Sequence, residues 1–290
     1  MARNYEMGVR WFKMILGVLV VSILLSQYSC VYGEAPQVPC FFIFGDSLVD
    51  SGNNNYLPTL AKVNYLPYGV DFPIGATGRF CNGRTSVDIL AELLGFKKPI
   101  PPFATTWGLV ILRGLNYASG AAGIRAESGT EMGVNVNLDQ QLRNHHVTVL
   151  RIASILRHKA LALKYGARKV ALVGVAPIGN ATEPFNEKLR ALVDKLNADL
   201  EDARFIYVNA SSVHVLLVLD FKVPNISCCA VNELGLCNPF EPVCQNRSDY
   251  ALWDSFHPTE AANIASAGRA YSSQDPIGHL SHGYQSPSSA

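Results

Sequence analysis

The sequence is poor in charge. Asp, Glu, Lys and Arg make up 16% of its 290 residues and nearly cancel, leaving +1. A chain so balanced lacks the basic face that nucleic acid or an anionic bilayer selects, so neither is expected as a partner. It is also short of apolar length. The uncharged stretch MILGVLVVSILL, Met14 to Leu25, falls below the about 20 residues that span a bilayer. With Arg3, Arg10 and Lys13 before it and small or neutral residues up to Gly33 after it, residues 1–33 read as a secretory signal peptide. Its cleavage would leave no stable membrane insertion, and the protein is expected to be secreted and extracellular. Histidine is missing where a metal would need it: the cluster CC-x7-C-x6-C holds none at ligand spacing. His145 and His146 are adjacent, so on a helix they point apart, and their expected place is a solvated helix start. No metal or other cofactor is expected.

In an oxidising compartment the cysteines change meaning. Cys40, Cys81, Cys228, Cys229, Cys237 and Cys244 remain beyond the signal, an even set that favours disulfides without choosing a pairing. Four N-x-S/T sequons, at Asn180, Asn209, Asn225 and Asn246, are candidate glycosylation sites.

What the chain does have is alternation. CFFIF, Cys40 to Phe44, suits a buried strand that stops at Gly45-Asp46-Ser47. Asp46 is expected to serve as a local cap or turn residue. SVDILAELLG is helical in its spacing, and LNYASGAAGI reads as a short strand entering a glycine-rich turn. A helix is expected from His145 to Tyr165, and KVALVGVAP should be a strand covered on both faces. An amphipathic helix from Pro184 to Ala203, a strand RFIYVNA and a final helix with Pro258 at its first position complete the pattern. His214 is expected in a strand or at a helix edge, not as a ligand. Alternating strands and helices argue for an α/β fold with a mostly parallel sheet, whose site lies beyond the strands' carboxyl ends. Residues 34–274 are expected to form the domain and residues 275–290 a disordered tail.

The chemistry gathers at the two ends. In YALWDSFHPTEAAN, Asp254 and His257 are three apart, close enough for one turn to set carboxylate on imidazole. Serine, histidine and acid are the parts for nucleophilic acyl transfer: the imidazole takes the hydroxyl proton and the carboxylate fixes its tautomer.

Together FGDSLVDSGNNN, NYASGAAGI, GARKVALVGVAPIG, FNEKL and WDSFHPTEAAN resemble the plant-type GDSL esterase/lipase family of the SGNH hydrolases, from about Val38 to Tyr271. The resemblance implies a flavodoxin-like three-layer α/β/α fold and metal-free hydrolysis of acyl esters, small-molecule or lipid. It implies Ser47 as nucleophile, His257 as base, Asp254 as its orienting partner, and the N–H groups of Ser47 and Gly120 as oxyanion donors. The resemblance implies that the strand ends at Gly45 because its tip is the active site; no G-x-S-x-G elbow surrounds Ser47. One block of the family is absent. No G-x-N-D occurs, and the chain runs QLRNHHVTVLRIASILRHKALALKYGARKV without it, a shortening placed between about Ser154 and Leu161. With that block goes the asparagine that the resemblance implies as a third oxyanion donor, and Asn144, Asn180 and Asn53 to Asn55 lie in the wrong motifs to replace it. A central strand is expected to be missing with it. Two functions are therefore weighed: an ester hydrolase, or an inactive or misfolded shortened variant acting at most as a non-catalytic secreted glycoprotein.

Overall fold

A computed structural model of the chain describes residues 35–156, 168–175, 182–209 and 220–272. The expected signal peptide, the tail, Asn180, His214 and the second half of the helix expected from His145 to Tyr165 lie outside the described residues. The chain divides into two compact units, Met1–Gln37 and Val38–Ala290, and all the elements below belong to the second.

The opening strand is present as a hydrogen-bonded extension. Phe41 and Ile43 donate their N–H groups to the carbonyls of Arg113 and Leu115 at 3.0 Å each, and Tyr117 and Ser119 donate back to Ile43 and Gly45 at 2.8 and 3.2 Å. This is a parallel ladder, and Asn116 also bridges in parallel to Pro102 on its other side. Leu115, Tyr117 and Ala118 on the middle segment are buried. Helix α1, Ser86–Leu93, starts at Thr85 in a reciprocal capping box with Asp88. Arg79 grips the same carboxylate with two bonds, Nε to Oδ2 at 2.7 Å and Nη2 to Oδ1 at 2.8 Å.

Helix α2, Leu138–Leu156, begins earlier than its histidines suggest. Asn137 caps it by accepting the Gln140 N–H at 3.0 Å, so His145 falls mid-helix. There the ring lies edge-on to Phe42 and Phe44, at 4.7 and 5.4 Å between centroids. The expected helix-start position is thus corrected for both histidines, and the expected solvated one for His145 alone, since His146 is exposed. Burial, and the neighbouring His146, keep the His145 imidazole below its usual range.

Strand β1, Lys169–Val173, pairs in parallel with β2, Arg204–Val208, and helix α3, Thr182–Asp199, crosses between them. Two asparagines tie this unit together. Asn186 accepts the Val175 N–H and donates to the Val175 carbonyl, both at 2.9 Å, and Asn197 does the same to Phe205 at 2.8 Å. The expectation that KVALVGVAP is covered on both faces fails: Val173 is 62% exposed and Val175 39%. Among the described residues no strand lies between β1 and the Phe41–Gly45 ladder, which leaves the apolar run without the cover its composition suits. Leu192 on α3 and Leu200 just beyond its end, which fall on the apolar stripe of the helix expected from Pro184 to Ala203, are likewise exposed.

Strands β3, Val223–Ser227, and β4, Tyr250–Leu252, form a second parallel pair. Below them Val63, Tyr68, Phe80, Trp253, Cys228, Cys229 and Cys237 pack as one core cluster. Two disulfides, Cys228–Cys244 and Cys229–Cys237, staple this region. Cys40 and Cys81 are free thiols, so the even set is not fully paired. Helix α4, Glu260–Tyr271, is capped by Thr259, which accepts the Ala262 N–H at 3.2 Å. Pro258 therefore precedes the cap and does not occupy the first helical position. Among the described residues no helix is long and apolar enough to cross a membrane.

Candidate active site

Ser47 stands on a single tight turn at the end of the first extended segment. The Asp46 carbonyl accepts the Asp50 N–H at 3.0 Å, and the Asp46 carboxylate accepts the Leu48 N–H at 2.9 Å. The acid beside the serine is thus a local cap, as its sequence position suggests. Gly45 enters this turn at φ +153, and a Cβ there would meet Val49 Cγ2 at 2.9 Å. Gln141 on α2, itself buried, holds both sides of Gly45: its Oε1 accepts the Gly45 N–H at 3.0 Å and its Nε2 donates to the Gly45 carbonyl at 2.8 Å. Ser47 is half-buried, and among the described residues its N–H carries no hydrogen bond.

At the other end, Asp254 is fully buried and His257 is 4% exposed. His257 Nδ1 lies 2.8 Å from each Asp254 oxygen. An ionised carboxylate only accepts, so Nδ1 carries the hydrogen and Nε2 is left as the nitrogen that can take a proton. Asp254 Oδ1 also accepts the N–H groups of Phe256 and His257 at 2.9 and 2.8 Å, a turn closed by the carboxylate itself. Oδ2 accepts the Tyr68 hydroxyl at 2.6 Å. The imidazole is flanked by Phe80, at 4.8 Å between ring centroids, and by the exposed Phe256 at 6.1 Å.

Phe80 connects the ends. A Cβ on Gly120 would meet Phe80 Cζ at 2.6 Å, so glycine leaves room for the ring that lies tilted against His257. Gly120 in turn is bound to the serine turn, its N–H donating to Asp50 Oδ2 at 3.0 Å and its carbonyl accepting from Asn54 at 3.0 Å. Here the expectation for Gly120 needs correction. Its N–H is occupied by a buried carboxylate and does not stand free as an oxyanion donor. Asn53, Asn54 and Asn55 hold backbone carbonyls of the surrounding loops, which accounts for the asparagine run without a catalytic role. Among the described residues no cluster of His, Cys, Asp and Glu could hold a metal ion.

Asp50, Gln141, Phe80 and Tyr68 did not stand out in the sequence. Only Asp50 had a local signal, an acid followed by Ser-Gly-Asn, which suits a carboxylate accepting N–H groups two and three residues on. Burial pushes the Asp50 carboxyl up to about 6, against the three N–H groups that favour its charge. Because the folded value lies above the unfolded one, its stabilising contribution is complete below about pH 4 and is lost as pH rises through 6. Asp88 has the opposite sign. Against burial, the bonds from Arg79 hold it below the usual carboxylate range, so its contribution is lost only as pH falls through that range. Urea unfolding of wild type and Asp50→Asn should therefore show a difference in pH slope confined to pH 4–6, worth up to about 3 kcal/mol. Parallel curves would remove Asp50 as its source.

The sequence profile of the GDSL-like Lipase/Acylhydrolase family matches residues 146–269, which take in Asp254 and His257. Three Arabidopsis thaliana proteins extend the likeness over nearly the whole chain. GDSL esterase/lipase At1g29670 is 37% identical, covering 88% of this chain and 93% of its own length. GDSL esterase/lipase At1g29660 is 38% identical over 88% and 92%, and GDSL esterase/lipase At5g45670 35% identical over 89% and 94%. The first alignment spans 339 positions but uses about 255 residues of this chain, 88% of 290, so several dozen positions are gaps here, in keeping with the expected shortening. With parallel strands, crossing helices and this likeness, the chain belongs to the GDSL esterase/lipase family and to its three-layer α/β/α fold class.

Proposed function

We propose that this chain is a secreted serine ester hydrolase that cleaves acyl esters through an acyl-enzyme on Ser47. One observation carries the reading: a buried Asp254–His257 pair with Nδ1 saturated by the carboxylate, which leaves Nε2 as the only basic nitrogen. In this mechanism Ser47 Oγ bonds to the acyl carbon as its proton passes to His257 Nε2. The imidazolium then protonates the departing alkoxide as the ester bond breaks. Water repeats the sequence, giving its proton to Nε2 and its oxygen to the acyl carbon, and Ser47 is regenerated. The Ser47 N–H serves the developing oxyanion, and the Gly120 N–H joins it only at the expense of its bond to Asp50. Loss of one such donor costs about 10²–10³ in rate, so a slow enzyme is expected.

The relatives' names support ester substrates. The two disulfides suit an extracellular domain spanning residues 34–274 after removal of residues 1–33, with residues 275–290 as a tail. Of the candidate glycan sites, Asn225 and Asn246 are exposed and Asn209 is half-buried.

The competing reading, a non-catalytic glycoprotein, draws on the occupied Gly120 N–H and the uncovered β1. A fluorophosphonate probe decides between them. Covalent labelling of the folded protein, mapped to Ser47 and absent in Ser47→Ala, supports the hydrolase. Folded protein that takes no label supports the alternative.

A further inference from the structure

Tyr68 lies far from either catalytic block in sequence, 186 residues before Asp254, yet it reaches the centre of the site. Its side chain is fully buried, and its hydroxyl sits between two polar groups: it is 2.6 Å from Asp254 Oδ2 and 3.0 Å from the Cys237 N–H. The directions of these bonds are fixed by counting hydrogens. The Cys237 amide can only donate, so the phenolic oxygen accepts there. The ionised carboxylate can only accept, so the single hydroxyl hydrogen points to Asp254.

We propose that Tyr68 is a positioning residue for the acid–base pair, fixing the rotation of the Asp254 carboxylate and thereby the tautomer and tilt of His257. The inference rests on the hydrolase reading above. Two backbone N–H groups pin Oδ1, but apart from the shared Nδ1, Oδ2 has Tyr68 alone among the described residues. Without the hydroxyl, the carboxylate keeps its turn-closing bonds yet can swing Oδ2 away from the ring. Burial, and then the charge of Asp254, hold the phenol far above its usual range, so it stays a donor wherever the enzyme works.

A merely structural tyrosine would act on the Cys237 loop instead, and the neighbouring Tyr65 separates the two roles. Its hydroxyl donates to the Cys237 carbonyl at 3.0 Å, on the same peptide segment, without a bond to Asp254. The core places both rings on the Cys229–Cys237 disulfide region, Tyr65 meeting Tyr68 edge-on at 5.5 Å. Loop anchoring thus predicts similar losses from either hydroxyl, and positioning predicts a loss from Tyr68 alone.

The test compares Tyr68→Phe, Tyr65→Phe, Asp254→Asn and the Tyr68→Phe/Asp254→Asn pair, after thermal unfolding has shown each to be folded. Tyr68→Phe should slow fluorophosphonate labelling of Ser47, and kcat for p-nitrophenyl acetate, by about 10–100-fold, with KM within about twofold. Tyr65→Phe should stay within about threefold of wild type, and Tyr68→Phe should add less than about threefold in the Asp254→Asn background. Equal losses from the two tyrosines, or the same loss with and without Asp254, would overturn the proposal. Should Tyr68→Phe not fold, proton NMR of the wild-type protein decides. A slowly exchanging Tyr68 hydroxyl resonance with a nuclear Overhauser effect to the His257 Nδ1 hydrogen supports positioning, and its absence rejects it. Wild-type protein that takes no label at Ser47 brings down the hydrolase reading itself, which separates that failure from a failure of Tyr68 alone.

Discussion

Asp254→Asn is expected to lower kcat on a short acyl ester by about 10⁴-fold while leaving KM nearly unchanged. The reason is the tautomer. In the native pair the carboxylate accepts on both oxygens, taking N–H groups from Phe256 and His257, the Tyr68 hydroxyl and Nδ1. Asparagine can keep its oxygen where Oδ1 meets the two backbone N–H groups, because that turn admits no donor. Its NH₂ then occupies the Oδ2 position and points hydrogens at the ring, which favours Nδ1 as an acceptor and the imidazole proton on Nε2, against the contact that Nδ1 keeps with the Oδ1 position at 2.8 Å. A protonated Nε2 cannot take the hydroxyl hydrogen of Ser47, and the catalytic step stalls although the turn is unchanged. His257→Ala removes the base altogether and should cost on the order of 10⁶ in kcat. Steady-state kinetics on p-nitrophenyl acetate, with circular dichroism to confirm the fold, checks both. Wild-type rates in either variant would remove this pair from the mechanism.

The second large effect concerns stability. Arg79→Met should destabilise the protein by about 3–5 kcal/mol, which is a large part of the 5–15 kcal/mol that a domain has in total. Arg79 and Asp88 are 5% and 4% exposed at their side chains and joined by two short bonds. Without the guanidinium, the carboxylate keeps the Thr85 N–H and hydroxyl at 2.9 and 2.8 Å, too little to compensate a buried charge. The same carboxylate closes the capping box of α1, so the loss is felt at the start of that helix, which packs on α4. Adding Asp88→Asn should recover part of the loss, since it removes the unpaired charge and keeps an oxygen for the cap. Urea unfolding of the single and double variants measures this; a double variant no more stable than Arg79→Met would contradict the account.

Much of this was written plainly in the chain. The Asp254–His257 turn follows from a three-residue spacing, the strand ending at Gly45 from an apolar run meeting a glycine, and the parallel pairing from alternating elements. What could not be read were partners brought from afar. Nothing near Tyr68 announces a carboxylate nearly two hundred residues away, and Gln141 resembles any polar helix residue until Gly45 is placed beside it. The start of α2 lies well before His145 because Asn137 caps it, and the aromatic rings of Phe42 and Phe44 give a polar-looking His145 cover inside the helix. The exposure of Val173 is a different sort of departure. Its composition prescribes a covered strand, and the chain does not supply the neighbour.

The asparagines of α3 give that departure a consequence. A strand pair with a bare flank would ordinarily pass its weakness on to whatever it touches. Asn186 and Asn197 satisfy the main chain just past β1 and within β2 from the crossing helix, so this unit closes on itself and draws little support from the rest of the sheet. The lack of an adjoining strand among the described residues is then tolerated locally. The serine turn, steadied by Gln141, and the Asp254–His257 turn, steadied by Tyr68, owe their geometry to residues outside the stretch from Ser154 to Leu161.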